Sequence, residues 1–260
     1  MEYMASLIDT HVHFYDEWYG EEYPAVIDRA LAAGVEKMIQ PDVDSQDRAR
    51  MFAISEAYPG VLYTMLGLYH GSVTPGWEEE LARLEDWWSH GPVAVGEIGL
   101  DYHYGKETAD LQKLALREQL HIAAAHDLPV NIHLREATED FFAVLEDCRH
   151  LGLRGNLHAF SGSYETFCRL QRYGDWSVGI GGVLTFKNSR LPEAVAKIPL
   201  ENILLETDGP YLAPVPYRGK RNESAYLPLV AEKIAAIKGI SPDEVAAVTT
   251  SNAKQLFRIP

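Results

Sequence analysis

The sequence predicts an α/β fold, a single (β/α)8 TIM barrel, from three observations. Eight apolar, strand-like runs alternate with helical stretches, no Gly/Ser-rich or Pro-rich linker interrupts them, and the chain has 260 residues. Alternating strands and helices favour parallel strands with helical crossovers, and a barrel of this kind typically needs about 250 residues. We therefore expect one domain that spans residues 1–260.

The strands are predicted at residues 7–14, 35–43, 61–69, 93–100, 129–135, 154–160, 176–182 and 202–207. Between them lie helical stretches such as the one that contains Leu116, Leu120 and Ala123 at helical spacing. After the eighth strand, SPDE at 241–244 predicts the start of a last helix. An open doubly wound sheet is the alternative fold, but the first turn reads HVHFYD instead of a glycine-rich phosphate loop.

The composition is that of an ordinary globular protein, with 47% hydrophobic and 23% charged residues. The first six residues lack the basic and apolar regions of a secretion signal, and no apolar run approaches the ~18 residues of a membrane span. Cys148 and Cys168 stand apart and suit a reducing compartment as packing residues. We expect a cytoplasmic protein without a membrane partner.

The net charge of −15 restricts the kind of nucleic acid that the chain could bind. Proteins that hold long duplexes usually carry basic surfaces that release counterions from phosphates, so extended duplex binding is disfavoured. A small pocket that meets one or two phosphates is still compatible with this charge, because metal ions and a few local cations can dominate its field.

Histidines and acidic residues stand at the carboxyl ends of five predicted strands. They are His11, His13, Glu97, His133, His158 and Asp208. Because the strands of a parallel barrel end on one rim, we expect these side chains to converge there. Imidazoles and carboxylates are the usual ligands of hydrolytic divalent metals, so the pattern predicts a metal-dependent hydrolase.

Each of these residues also has a structural interpretation when it is taken alone. His11 and His13 share one face of a strand and could simply form hydrogen bonds, and Glu97 could pair with an arginine. His133 could be a satisfied core histidine, and Asp9 could either support a ligand or cap a turn. Because all six residues stand at the carboxyl ends of predicted strands, the metal interpretation is favoured.

Four segments resemble the signatures of the TatD family of metal-dependent hydrolases, and the similarity spans nearly the whole chain. They are DTHVH at 9–13, GEIGLDY at 96–102, HLR at 133–135 and ETDGPY at 206–211. The YRGKRNE segment at 217–223 is similar to the RGKxNEP stretch of the family. The resemblance implies a cytoplasmic nuclease or phosphoesterase with an amidohydrolase-type barrel and two divalent ions.

The resemblance also implies which residues hold the ions. His11, His13 and Asp208 would hold one ion, His133 and His158 would hold the other, and Glu97 would bridge them. Zinc, manganese or magnesium is compatible with this donor set. We expect catalysis to depend on Glu97 and on Asp208, which would act as the general base.

Other residues near the predicted rim are candidates for substrate contacts. They are Tyr102, His103, Arg135, Lys187, Arg218, Lys220 and Arg221. Guanidinium and ammonium groups suit the charge that develops on a phosphate during hydrolysis. Lys220 and Arg221 could equally be solvated surface charges.

The chain departs from the family pattern at four places that leave every expected ligand intact. GLYHG at 67–71 replaces GxHPH, so a histidine near the substrate is displaced or replaced. His103 stands where a second tyrosine is common, Ala159 replaces a frequent cysteine, and Ser224 replaces the proline of RGKxNEP. We expect these differences to affect substrate choice.

The leading functional hypothesis is a phosphodiesterase or deoxyribonuclease of the exonuclease type. It would act on nucleic-acid ends or on a small phosphoester, using a dinuclear metal site and an activated bridging water. A metal-dependent amide, ester or lactone hydrolase is the alternative, because the donor set activates water but does not determine whether the water attacks a phosphorus or a carbonyl carbon. A non-catalytic metal-binding barrel is the third hypothesis.

Overall fold

The computed structural model describes residues 6–43 and 45–260, and the strands in this part of the chain form one parallel sheet. They are β1 (Leu7–Asp9), β2 (Val35–Gln40), β3 (Leu62–Leu66), β4 (Ala94–Asp101), β5 (Val130–Arg135), β6 (Arg154–Leu157), β7 (Asp175–Ile180) and β8 (Ile203–Leu205). Each strand pairs with the next one along the chain. Parallel neighbours need a crossover between them, which explains the alternation of strands and helices.

Backbone hydrogen bonds between the first and last strands close the sheet into a barrel. The amide of Thr10 donates to the carbonyl of Leu205 at 3.0 Å, and the amide of Asp208 donates to the carbonyl of His11 at 2.9 Å. The predicted (β/α)8 barrel is therefore confirmed.

The helices in the described residues lie between the strands and after the last one. They are α1 (Tyr23–Ala32), α2 (Arg48–Glu56), α3 (Trp77–Ala82), α4 (Ala109–Ala125), α5 (Thr138–Asp147), α6 (Tyr164–Leu170), α7 (Leu191–Lys197), α8 (Leu227–Lys238) and α9 (Pro242–Phe257). Short 3-10 helices lie at Gly20–Glu22, His70–Ser72, Arg83–His90, Arg149–Leu151, Gly182–Thr185, Leu200–Asn202 and Ser224–Tyr226. In α4 the predicted apolar face is buried at Leu116, Leu120 and Ala123, and the helix packs against β4.

Several strands end earlier in the structure than the sequence predicts. The first was predicted to reach residue 14 but ends at Asp9, so His11 and His13 lie in the loop that follows β1. The amide of Thr10 donates to Leu205 in β8, whereas the amide of Val12 donates to Ile39 in β2. Because amides two residues apart in a regular strand point to the same neighbouring strand, the regular ladder of β1 breaks between these two residues.

Helix α9 covers the amino-terminal end of the barrel. It begins as predicted, with the hydroxyl of Ser241 accepting a hydrogen bond from the amide of Glu244 at 3.1 Å. The hydroxyl of Thr250 donates to the carbonyl of Ser6, just before β1, and Asn252 donates to the carbonyl of Ile203 in β8. The opposite end, where the strands finish, is therefore left for the functional side chains.

A compact apolar cluster connects this helix to the strands and seals that end of the barrel. It contains Ile8, Ile39, Met65, Ala94, Leu204, Ala253, Leu256, Phe257 and Ile259. No helix in the described part of the chain is both long and apolar enough to cross a bilayer. Residues 1–5, where the sequence predicts no secretion signal, lie outside the described residues.

Candidate metal centre

The six candidate ligands converge at the carboxyl end of the barrel. Five of them line a cavity of about 560 Å³: His13, Glu97, His133, His158 and Asp208. His11 lies at the base of this group and is fully buried. Glu97 belongs to β4 and His133 to β5, whereas the other four ligands lie in the segments that follow β1, β6 and β8.

The first group of donor atoms comes from His11, His13, Asp208 and Glu97. Nε2 of His11 lies 3.2 Å from Nε2 of His13 and 3.2 Å from Oε2 of Glu97. Oδ1 of Asp208 lies 3.3 Å from Nε2 of His13 and 3.8 Å from Nε2 of His11. Four donor atoms thus face one small volume from three strand ends.

The second group lies on the other side of the Glu97 carboxylate. Oε1 of Glu97 is 3.0 Å from Nδ1 of His133 and 3.1 Å from Nε2 of His158. The two ring nitrogens are themselves 3.1 Å apart. Oε2 of Glu97 therefore faces His11, which lies beside His13, and Oε1 faces His133 and His158, which is the arrangement that a bridging carboxylate needs.

The distances within both groups fit divalent metal ions. Two ligands that bind one ion at 2.0–2.2 Å lie about 3.0–3.5 Å apart, close to the separations observed here. When both rings are neutral and carry their protons on Nδ1, Nε2 of His11 and Nε2 of His13 face each other as two lone pairs, and no hydrogen bond can form between them. A cation between them would satisfy both nitrogens, so the donor set fits a metal.

The electrostatic environment also favours positive charge at this place. Burial alone would raise the pKa of Glu97, but the charge of His158 and hydrogen bonds from His11 and His133 hold it well below the usual range. Burial lowers the pKa of His158, but the nearby carboxylates of Glu97 and Glu206 outweigh it and place that pKa well above the usual range. The carboxylate of Glu97 therefore stays ionised and attracts a proton or a metal ion.

Three of the four imidazoles have an oxygen atom within hydrogen-bond distance of the second ring nitrogen, whereas Nδ1 of His158 is buried without a hydrogen bond and faces Glu206 at a longer distance. The pairs are His11 Nδ1 with Asn131 Oδ1 at 3.0 Å, His13 Nδ1 with the Tyr15 hydroxyl at 2.8 Å, His133 Nε2 with Asp101 Oδ2 at 2.9 Å, and His158 Nδ1 with Glu206 Oε1 at 3.8 Å. Metal-binding histidines usually have such partners, which fix the ring and its tautomer. Sequence reasoning did not select these four partners, although each is a polar residue in or beside a predicted strand.

Asp9 joins the ends of β1 and β8 beneath the ligands. Its Oδ1 accepts hydrogen bonds from the amides of His11 at 3.3 Å and Thr207 at 2.9 Å. Its Oδ2 accepts bonds from the hydroxyls of Thr207 at 2.5 Å and Ser224 at 2.6 Å. Burial raises the pKa of Asp9 to about 7 in spite of these bonds. Ser224, the departure from the family's proline, thus supplies a hydroxyl that supports Asp9.

The residues chosen for substrate contact lie outside the cavity that the ligands line. Arg135 borders an adjoining cavity of about 350 Å³, which His158 also lines. The hydroxyl of Tyr102 donates to Asp140 at 2.7 Å, and Nδ1 of His103 lies 2.7 Å from Glu136. Of these three predicted residues, Arg135 therefore has the clearest access to the ligand cluster.

The basic residues after β8 also have partners of their own. The guanidinium of Arg218 lies 4.4 Å from the ring centre of Phe186, and Nζ of Lys220 lies 6.0 Å from that of Tyr217. Arg221 forms an ion pair with Glu22 at 2.9 Å. Arg218 and Lys220 are exposed on the surface of this loop region, and Lys187, which lies between β7 and α7, is exposed as well.

The altered segment at 67–71 still places a histidine near the ligands. His70 is buried, and its ring stacks on that of His133 with the centroids 4.1 Å apart. Its Nε2 lies 3.6 Å from Oδ2 of Asp101. Tyr69 lines the cavity and contacts the ring of His70. This histidine therefore packs behind His133, while the tyrosine faces the cavity.

Comparisons with known proteins show which families and structures this chain is similar to. A model of the family described as TatD related DNase matches residues 8–258. YabD of Bacillus subtilis, named an uncharacterized metal-dependent hydrolase, is 39% identical over 97% of this chain and 99% of its own length. The 3'-5' ssDNA/RNA exonuclease TatD of Pantoea vagans is 31% identical over 97% of this chain and 100% of its own length. The crystal structure of YJJV, a TatD homolog from Escherichia coli K12, has a TM-score of 0.90 and 31% identity, covering 99% of this chain and 100% of that one.

Proposed function

Since the chain belongs to the TatD-related DNase family of metal-dependent hydrolases, we propose that it hydrolyses phosphodiesters and removes nucleotides from single-stranded or frayed nucleic-acid ends. One observation carries most of this proposal: the two oxygens of Glu97 face different imidazoles, with His11 at Oε2 and both His133 and His158 at Oε1. Such a carboxylate suits two ions held side by side, as in many enzymes that act on phosphoesters. The relative named as a single-strand exonuclease supports the choice of substrate.

In this proposal the six ligands divide as the two groups of distances suggest. His11, His13 and Asp208 would hold one ion, His133 and His158 would hold the other, and Glu97 would contribute an oxygen to each. Zinc or manganese suits four imidazoles best, and magnesium would need more oxygen ligands. When bound, such ions would polarise the substrate oxygen and make a water molecule more acidic.

Asp208 is the proposed general base. Burial would raise the pKa of its carboxyl, but the hydrogen bond from His13 and the charge of His11 keep that pKa below the usual range. The carboxylate is therefore ionised at neutral pH and can take a proton from the attacking water at one of its oxygens. The same group can then give the proton to the leaving alkoxide.

Arg135 is the proposed contact for a phosphate oxygen, because it borders the cavity that adjoins His158. Tyr102, His103, Arg218 and Lys220 are proposed contacts for parts of a substrate that extend beyond the metal cavity. Binding of a long duplex is not part of the proposal, since the net charge is −15.

A second candidate, hydrolysis of an amide, ester or lactone, is favoured by the charge of the cavity wall. Asp16, Glu17 and Asp47 line the cavity, and no described lining residue is a lysine or an arginine. An uncharged acyl substrate would avoid repulsion from these carboxylates. The same ligands and the same general base would serve that reaction.

A substrate panel separates the two candidates. The metal-reconstituted protein would be assayed on single-stranded oligonucleotides, blunt duplexes, a nitrophenyl phosphodiester and a set of nitrophenyl esters, amides and lactones. We expect cleavage of the oligonucleotides and the phosphodiester, and a loss of about 10²–10⁴-fold in kcat for Asp208→Asn. Activity on acyl substrates alone would overturn the nuclease proposal.

The remaining proposals concern organisation and compartment. We propose that residues 1–260 form one barrel domain and that the protein works in the cytoplasm. Cys148 is buried and Cys168 half-buried, and both are free thiols, which suits a reducing environment.

A further inference from the structure

Trp18 and Tyr211 are exposed aromatic side chains on the wall of the metal cavity. Trp18 is 59% exposed and Tyr211 is 45% exposed. All five tryptophans lie in the described parts of the chain, and the other four are buried or half-buried. An exposed aromatic pair that lines a cavity is therefore better explained by ligand binding than by core packing.

Hydrogen bonds hold this pair in place without covering it. Oδ1 of Asp16 accepts a bond from the amide of Trp18 at 2.7 Å, and its Oδ2 accepts one from the hydroxyl of Tyr211 at 2.5 Å. The carbonyl of Trp18 accepts a bond from Arg221 at 2.9 Å. Arg221 thus orders the segment beside the cavity, and little conformational entropy remains to be lost when a ligand binds.

The pair lies close to the candidate metal ligands and places two aromatic rings on the cavity wall. The two ring centroids are 6.1 Å apart with the planes tilted by 35°, and the ring of Tyr211 lies 6.1 Å from that of His13. The charged residues on this wall, Asp16, Glu17 and Asp47, are all acidic. A flat uncharged group is therefore favoured at this wall over a phosphate.

We propose that Trp18 and Tyr211 form a stacking surface for the unpaired nucleobase next to the phosphodiester that is cleaved. The proposal rests on the proposed phosphodiesterase function and specifies the part of the substrate that the cavity selects. Every base has a π-face, so stacking tolerates different sequences, and each base that stacks on an aromatic side chain contributes substantially to binding. A base can offer its face only when it is unpaired and unstacked, so single-stranded ends are preferred over blunt ones.

Kinetics on two matched oligonucleotides test the stacking surface. One is an intact single strand, and the other carries abasic residues at both ends. We expect Trp18→Ala to lower kcat/KM about tenfold more on the intact strand than on the abasic one, mainly through KM, and Trp18→Phe to restore most of the difference. Leu114→Ala, which removes an exposed apolar side chain from α4, is the control and should show no such preference. Equal losses on both strands for Trp18→Ala would overturn the proposal.

A binding measurement separates this proposal from the proposed reaction. Deoxyadenosine monophosphate should quench tryptophan fluorescence in the wild type and much less in Trp18→Phe, while ribose 5-phosphate should quench neither. If the wild type cleaves no phosphodiester but shows this quenching, the reaction is wrong and the stacking surface stands. If it cleaves oligonucleotides but both proteins are quenched alike, or neither is, the stacking surface is wrong and the reaction stands.

Discussion

Nε2 of His133 lies 2.9 Å from Oδ2 of Asp101, and this contact turns the other ring nitrogen toward Glu97. Burial would raise the pKa of Asp101, but the hydrogen bond and the charge of His133 lower it to about 2. An ionised carboxylate at this position accepts a hydrogen bond from the N–H at Nε2 and leaves Nδ1 free to act as a ligand. Asp101 is therefore a positioning residue for His133.

We expect Asp101→Ala to weaken metal binding by about 10–100-fold, because the imidazole loses the partner that fixes its tautomer. Metal affinity would be measured by competition with a chromophoric chelator. Asp110→Ala is the control, since that carboxylate pairs with Lys113 at 2.9 Å on the outer surface of α4 and should leave the affinity unchanged. Wild-type affinity in Asp101→Ala would show that packing alone orients the ring.

Replacement of Glu97 tests whether one carboxylate serves two ions. Glu97→Gln keeps the size of the side chain but removes its charge and one of its two acceptor oxygens. We expect the bound metal to fall from about two equivalents to one or none and kcat/KM to fall by at least about 100-fold. Elemental analysis after reconstitution, with circular dichroism as the check on folding, would measure this. Two equivalents retained in the variant would contradict the bridging role.

The sequence could predict that the six candidate ligands converge, because the order of the strands in the barrel determines where the strand ends lie. Parallel strands in sequential order end on the same rim, so polar residues at strand ends such as His133 and His158 must become neighbours. The structure does bring the six donors together, and it does so although β1 ends before His11.

The partners of those ligands could not be predicted in the same way, because they depend on the register between strands. Asp101 pairs with Arg135, and Gly99 pairs with His133, so the aspartate reaches a histidine two positions back on the adjacent strand. A shift of one residue would turn that side chain to the other face. The orientation of Arg218 and Lys220 could not be predicted either. It depends on the loop after β8, which the contact between Arg29 in α1 and Glu223 holds in place.

A glycine in β7 leaves room for the partner of His158. A methyl group at position 179 would collide with the carboxylate of Glu206, which is fully buried and accepts a hydrogen bond from the amide of Ala159. We expect Gly179→Ala to lower the free energy of unfolding by about 1–3 kcal/mol and to weaken metal binding, because the carboxylate must shift away from His158.

A double-mutant cycle tests whether the loss of unfolding free energy in Gly179→Ala arises from the collision with Glu206. In a Glu206→Ala background the methyl group gains space, so Gly179→Ala should cost clearly less there than in the wild type. Urea unfolding of the four proteins in the metal-free state would measure the coupling. Strict additivity would mean that the cost arises from the β7 backbone rather than from Glu206.

The contact that fixes the loop after β8 gives a prediction with a defined pH dependence. Glu223 accepts two hydrogen bonds from Arg29, at 2.7 Å from Nε and 2.8 Å from Nη2. Burial would raise the pKa of Glu223, but Arg29 and Arg221 outweigh it and lower the pKa below its usual value of 4.5. Because the unfolded chain then binds the proton more readily, this stabilisation is fully present above about pH 4.5 and is lost as the pH falls through the folded-state pKa.

We therefore expect Glu223→Gln to lower the free energy of unfolding by about 1 kcal/mol at neutral pH, a modest value because Arg29 is half exposed. The difference from the wild type should shrink as the pH falls through the folded-state pKa of Glu223 and approach zero below it, because protonated Glu223 and glutamine carry the same charge. Urea unfolding across this range would measure it, with Glu193→Gln on the exposed surface of α7 as the control that changes little. A difference that persists undiminished at the acid end would show that the bidentate geometry, rather than the charge, holds the loop to α1.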